Sequence, residues 1–168
     1  MYLCTRNDNT VLMSKLETYR QLLPQIRSLI AGEPDMIASM ANVSAVLHEA
    51  FGFWWTGFYR VEHEPADTDG HGVLVLGPFQ GPIACTRIPY GRGVCGTAWQ
   101  QAQTLVVPDV HRFAGHIACS SASNSEIVVP LIREGKVIAV LDIDSKDFAA
   151  FDDTDRLYLE QIAAAFIL

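Results

Sequence analysis

The chain has 168 residues, 49% of them hydrophobic and 18% charged, with 12 basic and 19 acidic side chains for a net charge of −7. That length and composition suit one globular domain with a real core, spanning residues 1–168, rather than a disordered segment. The negative balance argues against nucleic acid or an anionic membrane as the main partner. No apolar run approaches the roughly 20 residues that span a bilayer. The start, Met1 to Arg6, lacks the basic and apolar regions of a secretory signal. A cytoplasmic location is therefore expected, where the four cysteines are more apt to be catalytic or metal-binding than a permanent framework.

Residues 1–9 are expected to form a poorly ordered N-terminal segment. From Thr10 to Leu29, apolar residues recur at helical steps (Leu12, Leu16, Tyr19, Leu23, Ile26), and Pro24 is expected to end or kink that helix. Gly32-Glu33-Pro34-Asp35 breaks the pattern. A second helix follows, with Met36, Ile37, Met40, Val43, Val46, Leu47 and Ala50 as its buried stripe, closing near Gly52.

The texture then turns to strand. Phe53–Val61 is aromatic-rich and Val73–Leu76 is a compact apolar run, with an exposed acidic loop, 62–72, between them. A further strand is expected over Pro82–Ile88, a short helix over Val94–Gln103 and a short strand over Leu105–Val107. Residues 108–125 lack periodicity and read as a long functional loop with room for a helical turn. Two strands, Glu126–Arg133 and Lys136–Asp144, flank the turn Glu134-Gly135. Phe151–Leu168 closes the chain as an amphipathic helix capped by Asp152 or Thr154. The order predicts an α+β fold, an antiparallel sheet with the N- and C-terminal helices packed on one face.

On the last strand, side-chain alternation puts Ile138, Val140, Asp142 and Asp144 on one face and Val137, Ala139, Leu141 and Ile143 on the other. Glu126 on the neighbouring strand joins the two aspartates if the register sets it opposite. Clustered, partly desolvated carboxylates repel, so at least one is expected to stay protonated near neutrality, able to donate to a substrate oxygen. The alternative is a solvated strand end capping the turn at Ser145-Lys146.

Three of the four cysteines lie within 35 residues: Cys85, Cys95 and Cys119. Cys119 opens a polar, small-residue run that suits a reactive thiol, whereas Cys95, between small apolar neighbours, suits a buried one. His111 and His116 invite a zinc reading. Yet nine residues separate Cys85 from Cys95 and 23 separate Cys95 from Cys119, with no C-x₂-C knuckle, so no metal is expected. Gly91-Arg92-Gly93-Val94-Cys95-Gly96 lacks the spacing of a phosphate loop. Of Trp54 and Trp55, one is expected to face the core and the other to line a pocket for a small apolar group such as a methyl thioether.

Together these residues resemble the free methionine-R-sulfoxide reductase family, whose members adopt the GAF fold. The segments that carry the likeness are Trp55–Tyr59, Leu76–Gly81, Ala84–Pro89, Gly91–Gly96, Gly115–Cys119, Ser123–Val128 and Val140–Ser145. The resemblance implies reduction of free methionine-R-sulfoxide without a cofactor. Cys119 corresponds to the nucleophile that is left as a sulfenic acid, and Cys85 to the cysteine that resolves it as a disulfide, which thioredoxin reduces. Cys95 corresponds to a third, auxiliary cysteine. Glu126, Asp142 and Asp144 correspond to acids that bind substrate, Glu126 and Asp144 also helping to protonate its oxygen. Trp55 corresponds to the aromatic on the substrate's methyl end, with Tyr59 beside it as a substrate contact. A homodimer built on the terminal helices is the family-like assembly. Ser120 stands where the family commonly has Asp, and the 62–72 loop is longer than usual. The competing readings are a ligand-binding GAF module without chemistry and a zinc-stabilised module.

Overall fold

The computed structural model describes residues 13–63, 70–115 and 122–167, so the expectations for residues 1–9, for Cys119 and for the centre of the 62–72 loop lie outside it. The first helix, α1 (Lys15–Ile30), starts at Ser14, which forms a capping box with Glu17. It runs through Pro24 instead of stopping there. Pro24 is exposed while Tyr19, Leu23 and Ile26 anchor the opposite side. The carbonyl that loses its partner can therefore bond water. Helix α2 (Met36–Phe51) begins where the Asp35 carboxylate accepts from the Ile37 and Ala38 amides at 2.8 and 3.2 Å. It ends at Gly52, whose φ of 66° lets the chain turn left-handed.

The strands are β1 (Trp55–Glu62), β2 (Val73–Gln80), β3 (Arg87–Pro89), β4 (Leu105–Val107), β5 (Ser125–Arg133) and β6 (Lys136–Ser145), in the antiparallel order β3-β2-β1-β6-β5-β4. Helix α3 (Gly93–Gln101) follows β3, a 3₁₀ turn spans Val110–Arg112, and α4 (Asp153–Ala165) closes the described chain. Of the two candidate caps for α4, Asp152 fills the role, accepting from the Thr154 and Asp155 amides. Two expectations need correction. Strand β2 continues through Gly77-Pro78 to Gln80, and the segment expected as a strand from Pro82 pairs only from Arg87. Pro78 lies beyond the β3 pairing and between registered β1 contacts, so its missing N–H breaks no ladder in the centre of the sheet.

Alternation divides the sheet into two faces. Phe58, Ile127, Val129, Leu131, Ala139, Leu141 and Ile143 pack with α1, α2 and α4, the arrangement expected for the terminal helices. Tyr59, Val128 and Val140 face the other way with Trp55, Leu74 and the α3 residues Val94, Cys95, Ala98 and Trp99. The predicted parity holds from Ala139 onward but fails before it. Leu131 pairs with Ala139 and Ile132 with Val137, so Ile138 is the extra residue of a bulge. Ile138 thus packs on the helix side and Val137 on the α3 side.

Candidate active site

The pocket lies on the α3 face, lined by Trp54, Trp55, Tyr59, Ala84, Val94, Cys95, Ser123, Glu126, Asp142 and Asp144 among others. Strand register explains how the acids meet. Glu126 pairs with Asp144, which pairs with Trp55 on its other side, and one pleat along Val128, Asp142 and Gly57 form the next row. Two residues on, side chains return to the same face, so the three carboxyls and Trp55 share one wall. The indole lies over Gly57, where a Cβ would collide with the Trp55 ring and with Phe79. Gly57 supplies the space, and a glycine among aromatic strand residues is the signal in the sequence of such a close approach.

Trp55 is 4% exposed, stacks on Tyr59 and Phe79 with centroids 5.9 and 5.4 Å away, and donates from Nε1 to the Pro82 carbonyl at 3.1 Å. Of Trp54 and Trp55, Trp55 is the one that enters a core, the α3-side cluster, and it lines the pocket as well. Trp54 sits at the rim, half-buried, with the Lys146 ammonium 3.5 Å over its ring. Tyr59 presents its ring to the pocket, and its hydroxyl donates to the Cys85 carbonyl at 3.0 Å. It thereby ties the Cys85 backbone to β1. Burial and the neighbouring acids push the Tyr59 phenol upward, so it stays a donor.

Cys95 is buried, as its neighbours suggested, but it is not surrounded by carbon alone. Its Sγ lies 3.9 Å from Glu126 Oε1, as a weak donor. Burial, then the charges of Asp142 and Glu126, raise its thiol well above the usual value. Burial likewise raises Glu126, reinforced by the charges of Asp142 and Asp144. It raises Asp142, reinforced by Asp144. Asp144 titrates near 6, raised by burial and held back by a hydrogen bond from Ser123. Ser123 was not singled out from the sequence, and nothing in its polar run distinguishes it. No lysine, arginine or histidine is among the described lining residues. Such a set keeps at least one carboxyl protonated near neutrality, beside another that can ionise at Asp144.

Cys85 is disulfide-bonded, and Cys95 is a free cysteine among the described residues. Ala84, beside it, lines the pocket. Of the sequence-derived candidates, the structure therefore gathers Cys95, Glu126, Asp142, Asp144, Trp55 and Tyr59 around one cavity, with Cys85 hydrogen-bonded to its wall. Cys95, Glu126 and Asp142 each offer a donor atom within 4.8 Å of the others, a spacing that also suits a metal ion.

Comparison with known proteins matches residues 35–167 to the GAF domain. GAF domain-containing protein A of Dictyostelium discoideum is 59% identical over 149 residues, 89% of this chain and 90% of its own. Free methionine-R-sulfoxide reductase of Escherichia coli is 50% identical over 153 residues, covering 90% and 88%. The X-ray structure of free methionine-R-sulfoxide reductase from Neisseria meningitidis, in complex with its substrate, superposes with a TM-score of 0.85 at 55% identity, covering 92% of this chain and 89% of that one.

Proposed function

This chain belongs to the free methionine-R-sulfoxide reductase family of GAF domains, and on that premise we propose that it reduces free methionine-R-sulfoxide to methionine. The observation that carries the reading is the shared wall of Trp55, Glu126, Asp142 and Asp144 beside the cysteine-bearing rim. In the proposed cycle the Cys119 thiolate attacks the sulfoxide sulfur while a neutral carboxyl of the row, Glu126 or Asp144, protonates the oxygen. A sulfoxide oxygen is a poor leaving group until protonated, so the raised acids supply what the thiol lacks. The protonated oxygen leaves as water, a water then adds to the Cys119 sulfur as its new bond to the substrate sulfur breaks, and methionine departs with Cys119 left as the sulfenic acid. The Cys85 thiol then displaces its hydroxyl as water, forming a disulfide, and two electrons from thioredoxin return both sulfurs to thiols. The disulfide at Cys85 is consistent with this step, and we assign its partner as Cys119.

Substrate selection follows from the same wall. An ionised carboxylate of the row, Asp144 most readily because it is raised least, pairs with the α-ammonium of a free amino acid, which a residue within a peptide lacks, with Asp142 beside it as a further contact. The apolar Trp55 face receives the methyl end. Cys95 serves as an auxiliary thiol. The reducing cytoplasm is the setting in which such a disulfide turns over; no helix among the described residues is long and apolar enough to cross a membrane. We also propose a homodimer through the terminal helices, where Leu16, Leu29 and Leu157 are exposed, to be checked by light scattering.

Thioredoxin-coupled NADPH oxidation with free methionine-R-sulfoxide tests the activity. Turnover is expected in the wild type and absent in Cys119→Ser. Cys85→Ser is expected to release about one methionine per enzyme and then stop, since only resolution is lost. A silent wild type, or full turnover in Cys119→Ser, overturns the proposal.

A further inference from the structure

Three buried donors meet at the pocket wall from three different elements. Cys95 Sγ comes from the first turn of α3, a Glu126 oxygen from β5 and an Asp142 oxygen from β6, all within 4.8 Å of one another. The elements are fixed by packing: Cys95 and Val94 contact the sheet side that holds Val128 and Val140. A separate observation marks the cluster as unfinished. Asp142 is 7% exposed, and its Oδ1 is buried with no hydrogen-bond partner. A buried carboxylate oxygen on a cavity wall without a cationic side chain among its described residues lacks the partner such groups normally have.

We propose that Cys95, Glu126 and Asp142 form a binding site for a divalent transition-metal cation of the Zn²⁺ or Co²⁺ class. The donor chemistry selects that class. A thiolate favours borderline-soft ions over Mg²⁺ and Ca²⁺, and one sulfur with two carboxylate oxygens leaves a position open to the cavity. Bonds of about 2.0–2.3 Å to a tetrahedral ion place its ligands roughly 3.5 Å apart. The Cys95–Glu126 separation of 3.9 Å needs only a small side-chain adjustment to reach that. Binding transfers the Cys95 thiol proton, and any carboxyl proton held on Glu126 or Asp142, to solvent and leaves the oxidation state of every atom unchanged.

The site uses neither Cys85 nor Cys119, so it exists in the disulfide form, where Cys95 remains a thiol. It occupies the floor of the pocket, and a bound cation therefore obstructs whatever else enters. This inference does not depend on the reductase reading: metal binding is measured directly, whereas failure of that reading appears as a silent wild type in chelator.

The test is a Co²⁺ titration of the oxidised, chelator-treated protein. One equivalent is expected to bind with a thiolate-to-cobalt charge-transfer band and the strong visible bands of a tetrahedral ion, and Zn²⁺ should displace it. The charge-transfer band should vanish in Cys95→Ser and persist in Cys4→Ser. Asp142→Asn, which keeps the shape and removes the charge, should weaken binding by about tenfold or more, so the site stays testable if Cys95→Ser does not fold. Absence of the band in the wild type, its survival in Cys95→Ser, its loss in Cys4→Ser, or undiminished affinity in Asp142→Asn overturns the proposal.

Discussion

The two faces of the sheet bury acids under opposite conditions. On the helix side, Asp155 is fully buried but complete. It accepts from the Tyr19 hydroxyl at 2.8 Å, lies 2.6 Å from the Lys15 ammonium, and accepts from the Asp152 amide at 2.8 Å. Lys15 also reaches Asp152 and the Ala150 carbonyl, which ties α1 to the start of α4. On the α3 side, Glu126 and Asp142 are nearly as buried, yet they face each other, a thiol and a cavity. A buried carboxylate with its cation is part of the scaffold, whereas buried carboxylates without one hold protons and await a ligand. Residues adjacent in sequence therefore have unrelated duties, as with Leu141 in the core and Asp142 in the pocket.

That division can be broken by substituting neighbours. Leu141→Ala should lower unfolding free energy by about 2–5 kcal/mol, since it leaves a cavity in a fully buried position. Asp142→Asn, one residue along, should leave stability nearly unchanged while abolishing turnover, because burial already favours the neutral carboxyl, which the amide matches in shape, and the ionisable group is lost. Urea denaturation of both variants checks the pair, and equal losses would erase the distinction between faces. Next in size, Asp155→Ala should cost about 3 kcal/mol, because Tyr19 and the half-buried Lys15 both lose their partner. That variant should retain its acid-dependent activity at temperatures where it remains folded.

The smallest effect is a pH slope. Asp144 titrates near 6 in the folded chain instead of 3.8 because burial disfavours its charge. Between those values the folded state holds a proton that the unfolded state has released. Stability should therefore fall as pH rises through that window, by at most about 1.4 kcal/mol per unit for one group. Glu126 and Asp142, raised further, extend the fall to higher pH. Urea midpoints measured in chelator should show Asp144→Asn flattening the lower part of the slope. An identical slope in wild type and variant would mean that Asp144 is not desolvated.

Much of this contrast was legible in the residue order. Period-two alternation placed Asp142 and Asp144 on one face and Leu141 and Ile143 on the other, and the strand pairing of Glu126 with Asp144 completed the row. What stayed hidden depends on three-dimensional context. Pro24 reads as a helix breaker unless it is known to face water. Gly77-Pro78 reads as a turn unless it is known to lie beyond a three-residue neighbour. The bulge at Ile138 inverts parity without any glycine to announce it. Within the site, the engagement of Tyr59 with the Cys85 carbonyl and the seating of Trp55 over Gly57 are contacts between distant segments, which local pattern cannot show.

The central claim is that the acid row, and not the thiols alone, makes this pocket a sulfoxide reductase. Its most direct test is the single-turnover rate of methionine release from reduced Glu126→Gln with free methionine-R-sulfoxide, with alkylation of Cys119 followed in parallel. The account predicts release slowed by about 10²–10⁴-fold, with the rate of Cys119 alkylation unchanged. Release at the wild-type rate, or a slowing matched by an equal loss of thiol reactivity, would contradict it.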